Sequence, residues 1–101
     1  MSFDFDNVHV ATHQFYDSYF NENAIKVLPG EYFATKERKL IVTVLGSCVS
    51  VCLRDPITGV GGMNHFLLPK DERGSPDLVA ASARYGVYAM EILINHLLKL
   101  G

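Results

Sequence analysis

Thr43-Val44-Leu45-Gly46-Ser47-Cys48-Val49-Ser50-Val51-Cys52-Leu53-Arg54-Asp55-Pro56, answered by Gly61-Gly62-Met63-Asn64-His65-Phe66-Leu67-Leu68-Pro69, decides how the rest of the chain is read. Two apolar runs, the first rich in valine and the second carrying a histidine, are joined by Asp55-Pro56-Ile57-Thr58-Gly59. These are hairpin residues, because Pro presets φ and Gly accepts φ > 0. If residues 55 to 58 form a four-residue loop, Arg54 faces Gly59, paired positions sum to 113, and Cys48 falls directly across from His65. Directly paired Cβ atoms on one face lie about 4.5–5.5 Å apart. A five-residue loop would instead give a sum of 114 and send the two side chains to opposite faces, since a one-residue slip flips a strand. A bulge at Gly61-Gly62 would restore the pairing.

At 101 residues the chain is at most one domain. Hydrophobic content of 49% and charged content of 20% are those of an ordinary globular protein. A formal net charge of −2 gives no electrostatic case for nucleic acid. No run approaches the roughly 18 apolar residues of a membrane span. Met1-Ser2-Phe3-Asp4-Phe5-Asp6 lacks the basic start of a secretory signal, so a cytoplasmic setting with reduced thiols is expected. Cys48 and Cys52 are four apart, about 13 Å on a strand at ~3.3 Å per residue. That is too far for a disulfide, which wants Cα atoms within about 7 Å. His9, His13 and His96 are too scattered to complete a zinc set, and no metal or other cofactor is expected.

Outside the central runs, residues 1–24 read as an irregular arm. In it Phe15/Tyr19 and Tyr16/Phe20 are spaced as on one helical turn, with aromatics packed on the body or offered to a partner. Ala24 to Val27 and Tyr32 to Thr35 read as short strands around a Pro29-Gly30 turn, and Leu40 to Leu45 as a further strand. Residues 68–77 form a charged connection, either simply solvated or a rim over the site. The chain ends in a helix from about Ala80 to Leu98 with Tyr85, Ala89, Met90, Leu93, Ile94, Leu97 and Leu98 as its core stripe. Glu91, Asn95 and Lys99 form its polar face. The expected class is α+β, with antiparallel sheet or sandwich layers flanked by helices and the Cys and His on neighbouring strands.

The two-part motif from Thr43 to Cys48 and from Gly61 to Pro69 resembles the CheD family of chemoreceptor glutamine deamidases. Val27-Leu28-Pro29-Gly30-Glu31-Tyr32 and Ser82-Ala83-Arg84-Tyr85-Gly86-Val87-Tyr88-Ala89-Met90-Glu91 extend the likeness over nearly all of the chain from about residue 25. The resemblance implies a catalytic domain over 25–101, and a chain equivalent to the N-terminal part of a longer family member. It implies Cys48 as nucleophile, His65 as its base and Thr43 as the third member of the site. It implies hydrolysis of glutamine side chains on the cytoplasmic helices of methyl-accepting chemoreceptors.

The chemistry suits those residue types. Only a few per cent of an ordinary thiol is thiolate at pH 7, and a neighbouring imidazole removes that barrier. Thr43 would hold the far imidazole nitrogen and set the tautomer. Amides around Gly46 and Ser47 are candidates for an oxyanion hole, and Asn64 either places the substrate amide or satisfies strand-end backbone. Three rivals stand beside this reading. In one, Cys48 and Cys52 are small buried hydrophobes and His65 a satisfied core histidine. In another, the chain is a binding module without turnover that regulates a CheC-type phosphatase. In the third, Cys48 is a redox-sensing thiol, for which Cys52 is poorly placed as a resolving partner.

Overall fold

The structure, a computed structural model, describes residues 9–46, 48–67 and 76–101, with the backbone alone at 67 and 76–85. In chain order its strands are β1 (His9–Val10), β2 (His13–Asp17), β3 (Glu22–Lys26), β4 (Glu31–Thr35), β5 (Leu40–Val42), β6 (Cys48–Val49), β7 (Cys52–Arg54), β8 (Gly61–Asn64) and β9 (Phe66–Leu67). Helix α1 (Pro76–Leu100) follows. One sheet has the order β1-β4-β8-β7, a second β2-β3-β5, and β6 pairs with β9 alone. The class is α+β, as expected, but the sheets are mixed: β1 lies parallel to β4 and β3 parallel to β5. One helix, not several, flanks them among the described residues.

Period-two alternation on the four-stranded sheet makes three layers of this. Phe33 and Met63 point one way and join Ile25, Val27 and Ile41, the apolar side of the second sheet. Tyr32, Ala34 and Gly62 serve the other face, where α1 lies. There Tyr32 stacks edge-on against His96, and Leu93 is fully buried over Gly62. The helix starts at Pro76, in a first turn that has no use for the missing N–H. Of its expected stripe, Ala89 and Leu93 are buried, whereas Ile94 and Leu98 are exposed, 41% and 71%. The stripe facing the sheet is narrower than the periodicity alone suggests. Tyr85 as a core side chain, and the 68–75 part of the charged connection, lie outside the described residues.

The irregular arm is corrected for residues 9–24. β2 and β3 form an antiparallel hairpin from His13↔Lys26 to Asp17↔Glu22. Its turn works because the Asp17 carboxylate accepts from the Phe20 amide and Asn21 tolerates a φ of 57°. Phe15, Tyr16, Tyr19 and Phe20 are all exposed, so the body does not cover them.

The hairpin register is also corrected. Cys52↔Met63, Leu53↔Gly62 and Arg54↔Gly61 sum to 115, not 113. The loop is shifted by one residue, to 56–59: the Asp55 amide donates to Val60 O, which carries the register one step past the strand ends, and the Gly59 amide donates to Asp55 O, with Gly59 at a φ of 79°. The same register continues in Cys48↔Leu67 and Val49↔Phe66. Cys48 therefore faces Leu67 across the ladder, and His65 falls two positions away from it.

Gly62 is demanded by crowding. A Cβ there would stand 2.7 Å from Phe33 O and 2.8 Å from Leu93 Cδ1. Gly62→Ala should therefore cost about 1–3 kcal/mol, the usual range for forced overpacking, read as a lowered urea midpoint. The exposed Asp55 carboxylate is held below its ordinary pKa by the Ile57 amide and then by Thr58. A depressed folded-state value adds stability that is present above the ordinary carboxylate range and lost as pH falls through the depressed value. The stability gap between wild type and Asp55→Ala should be widest at neutral pH and close on acidification.

Candidate active site

The turn between β3 and β4 builds the site. Leu28-Pro29-Gly30-Glu31 closes with the Glu31 amide on Leu28 O at 2.9 Å and Gly30 at a φ of 83°, as a type II turn requires after Pro. The Glu31 carboxylate turns back to accept from the Leu28 amide at 2.9 Å. This closed turn holds His65 by its backbone on both sides. The Gly30 amide donates to His65 O at 2.8 Å, and the His65 amide donates to Glu31 O at 3.0 Å.

The same turn fixes the imidazole. β5 delivers Thr43 beside β3, whose pairing extends one step further through the Val27 amide on Val42 O. Thr43 Oγ1 donates to Val27 O at 2.6 Å and lies 2.8 Å from His65 Nδ1, which is itself 3.2 Å from Val27 O. A carbonyl oxygen only accepts. The threonine proton is committed to it, so the bond between Thr43 and His65 must use a proton on Nδ1. The neutral ring is then the Nδ1–H tautomer, and Nε2 carries the lone pair. His65 is 2% exposed, and Nε2 is buried with no hydrogen-bond partner among the described residues. Everything around this ring orients one free basic nitrogen.

Asn64 and Ser50 set what comes next. Asn64 is buried; its Oδ1 accepts from the Val51 amide at 2.9 Å, and its Nδ2 reaches Met90 Sδ at 3.2 Å. Ser50 Oγ donates to Asn64 O at 2.5 Å. Side chains thus replace ladder bonds where β7 would run into β6 and β8 into β9. Cys48, a half-buried free thiol, begins β6 just beyond that break. The sum of 115 holds on both sides of the break, so no residue is gained or lost there. In this register Ser50 is opposite His65, and Cys48 stands two positions before Ser50, diagonal to His65.

The structure thus brings Thr43 and His65 into contact and leaves Cys48 one diagonal step away. Asn64 serves backbone groups of the hairpin. Gly46 is exposed with open space where a Cβ would stand, and Ser47 lies outside the described residues. Cys52 is exposed, so its reading as a buried hydrophobe is corrected. Val27, Gly30 and Glu31 were missed as site residues, because they act through the main chain. The Pro-Gly pair announced the turn but not its cargo. Ser50 was missed because it faces His65 only in the 115 register.

The tautomer can be tested directly. Nitrogen NMR of neutral His65 should show Nδ1 protonated and Nε2 bare, and Thr43→Val should weaken that preference. A bare Nδ1 in the wild-type chain would contradict the hydrogen-bond assignment.

The chain is 64% identical over 88 residues to a probable chemoreceptor glutamine deamidase CheD 1 of Shewanella oneidensis, covering 87% of this chain and 43% of that protein. It is 59% identical over 98 residues to a probable chemoreceptor glutamine deamidase CheD of Herminiimonas arsenicoxydans, covering 97% and 48%. A Janthinobacterium counterpart is 61% identical over 93 residues, covering 92% and 46%. No family model and no solved structure matches the chain. It spans about half the length of the curated relatives it matches. With this identity sustained across nearly all of its residues, the chain belongs to the CheD family of chemoreceptor glutamine deamidases.

Proposed function

We infer that the chain carries the thiol-dependent centre of a protein-glutamine deamidase, with Cys48 as nucleophile, His65 as general base and Thr43 as the residue that orients it. The observation that carries this reading is the buried His65 Nε2, which has no hydrogen-bond partner among the described residues, with Nδ1–H committed to Thr43 and Val27 O. The relatives, named as chemoreceptor glutamine deamidases, support the substrate class.

In this reading Nε2 takes the Cys48 thiol proton as sulfur attacks the side-chain amide carbon of a glutamine. The imidazolium then gives that proton to the amide nitrogen, the C–N bond breaks, and ammonia leaves a thioester. Nε2 next takes a proton from water as its oxygen attacks the thioester. Collapse expels the thiolate, which recovers the proton, and glutamate remains. The Nδ1–H bonds hold the ring in one orientation through both halves and strengthen as it becomes imidazolium. Amides of Gly46 and Ser47 are the proposed donors to the oxyanion. The reading carries with it a cytoplasmic setting and the cytoplasmic helices of methyl-accepting chemoreceptors as substrate.

The test is mass spectrometry of a receptor cytoplasmic fragment incubated with the chain, following the mass gain of amide to acid. Cys48→Ala should abolish conversion, and Cys52→Ala should leave most of it. His65→Ala should lower kcat/KM by about 10²–10⁴, the range of a positioned general base. Thr43→Val should lower it by about tenfold, or 1.4 kcal/mol of barrier. Equal loss in Cys48→Ala and Cys52→Ala would overturn the assignment.

A further inference from the structure

Away from the imidazole, the chain concentrates its positive charge in one place. A cleft of about 500 Å³ lies between the 35–41 segment and the β7–β8 hairpin. Four of the chain's nine Lys and Arg residues line it (Lys36, Arg38, Lys39 and Arg54) against one carboxylate, Glu37. The chain as a whole is net negative. Arg38 is tied to Glu22, and Lys39 Nζ sits 5.4 Å from the centre of the Phe33 ring. Lys36 and Arg54 make no ion pair among the described residues. Among the described residues this excess of cation is not balanced by carboxylates.

The position of the cleft matters as much as its sign. Ile41 and Met63 line it, and they precede Thr43 and His65 by two residues each. Two residues of strand are about 7 Å. The two segments that carry the reactive imidazole and its threonine therefore run directly out of the cleft. A polypeptide lying in the cleft would have its neighbouring residues at the site.

We propose that this cleft is the part of the substrate-docking surface that recognises acidic side chains flanking the target glutamine. The occupant is an acidic segment of polypeptide, chosen by charge complementarity and by the adjoining site. The inference rests on the deamidase reading for the identity of the target residue. Electrostatic complementarity of this kind sets encounter rate and register more than it adds raw affinity. Its signature is therefore sensitivity to salt and to charge reversal, with chemistry at the thiol untouched.

Binding is measured by fluorescence anisotropy on the Cys48→Ala chain, so that no turnover intervenes. The probes are a labelled peptide with one glutamine flanked by glutamates, and the same peptide with serines in their place. The acidic peptide should bind more tightly and lose affinity as salt rises. Lys39→Glu and Arg54→Glu should each weaken its binding by about tenfold or more, because like charges then face each other. Lys99→Glu, an equal change of charge on α1 outside the cleft, should leave binding unchanged. The milder Lys39→Gln and Arg54→Gln should each give a smaller loss in the same direction, which guards against a reversal that merely unfolds the chain. Equal binding of the two peptides, equal weakening by Lys99→Glu, or tighter binding of a single-stranded oligonucleotide would each overturn the proposal. The deamidase reading fails separately, if the wild-type chain binds the acidic peptide and leaves its glutamine unconverted.

Discussion

One backbone carbonyl, Val27 O, is the constraint on which the site depends. It accepts from Thr43 Oγ1 and lies within reach of His65 Nδ1. Because it cannot donate, it dictates the direction of every proton in the cluster. Its own position is not adjustable. Val27 is buried between the sheets, its amide continues the parallel pairing with β5, and the turn after it is closed twice. A side chain in this place would have rotamers to lose; a carbonyl in a closed turn has none. The orientation of His65 is therefore set by main chain that a closed turn holds in place.

The parallel placement of β5 beside β3 explains why Thr43 arrives at all. Leu40–Val42 pair with Ala24–Lys26, and the chain leaves the ladder at the residue whose hydroxyl bonds Val27 O. The strand stops where its threonine becomes useful. A comparable exchange occurs in the hairpin, where Asn64 Oδ1 and Ser50 Oγ take over hydrogen bonds around Val51 and Asn64. Both interruptions trade regular ladder for side-chain bonds, and both border His65. The strands next to the hairpin break are short: β6 and β9 have two residues each.

How much of this was legible in the sequence follows from which interactions are local. The short strands around Pro29-Gly30, the hairpin and the C-terminal helix are visible as periodicity and turn residues, and each is present. The contact of Thr43 with His65 was also expected. The register sum erred by two, because the Asp55 and Val60 hydrogen bond that moves the loop from 55–58 to 56–59 leaves no residue signature. An even error keeps each side chain on its side of the ladder, whereas an odd one would invert it. Cys48 thus moves from opposite His65 to a diagonal position without a change in the parity of the pairing. Residues 9–17 read as irregular in the sequence because β1 owes its strand state to the distant β4, and in the β2–β3 hairpin aromatics at a spacing of four mimic a helical turn. The role of Val27 was invisible, since no side chain announces a carbonyl.

The lone nitrogen bears on stability as well as on chemistry. A buried polar atom left without a partner costs about 1–3 kcal/mol, and among the described residues His65 Nε2 is such an atom. The cheap remedy would be a ring flip that turns Nε2 toward Thr43. That flip leaves Nδ1 unpartnered instead, so it gains nothing. Replacing the ring with an apolar side chain would relieve the cost, but would strand Thr43 with one acceptor function unused. What the imidazole provides is a base with its lone pair held in a dry place, beside a strand that begins with a free thiol. Fold and site pull in opposite directions at this one atom, and the closed turn at Val27 to Glu31 is rigid enough to hold the compromise.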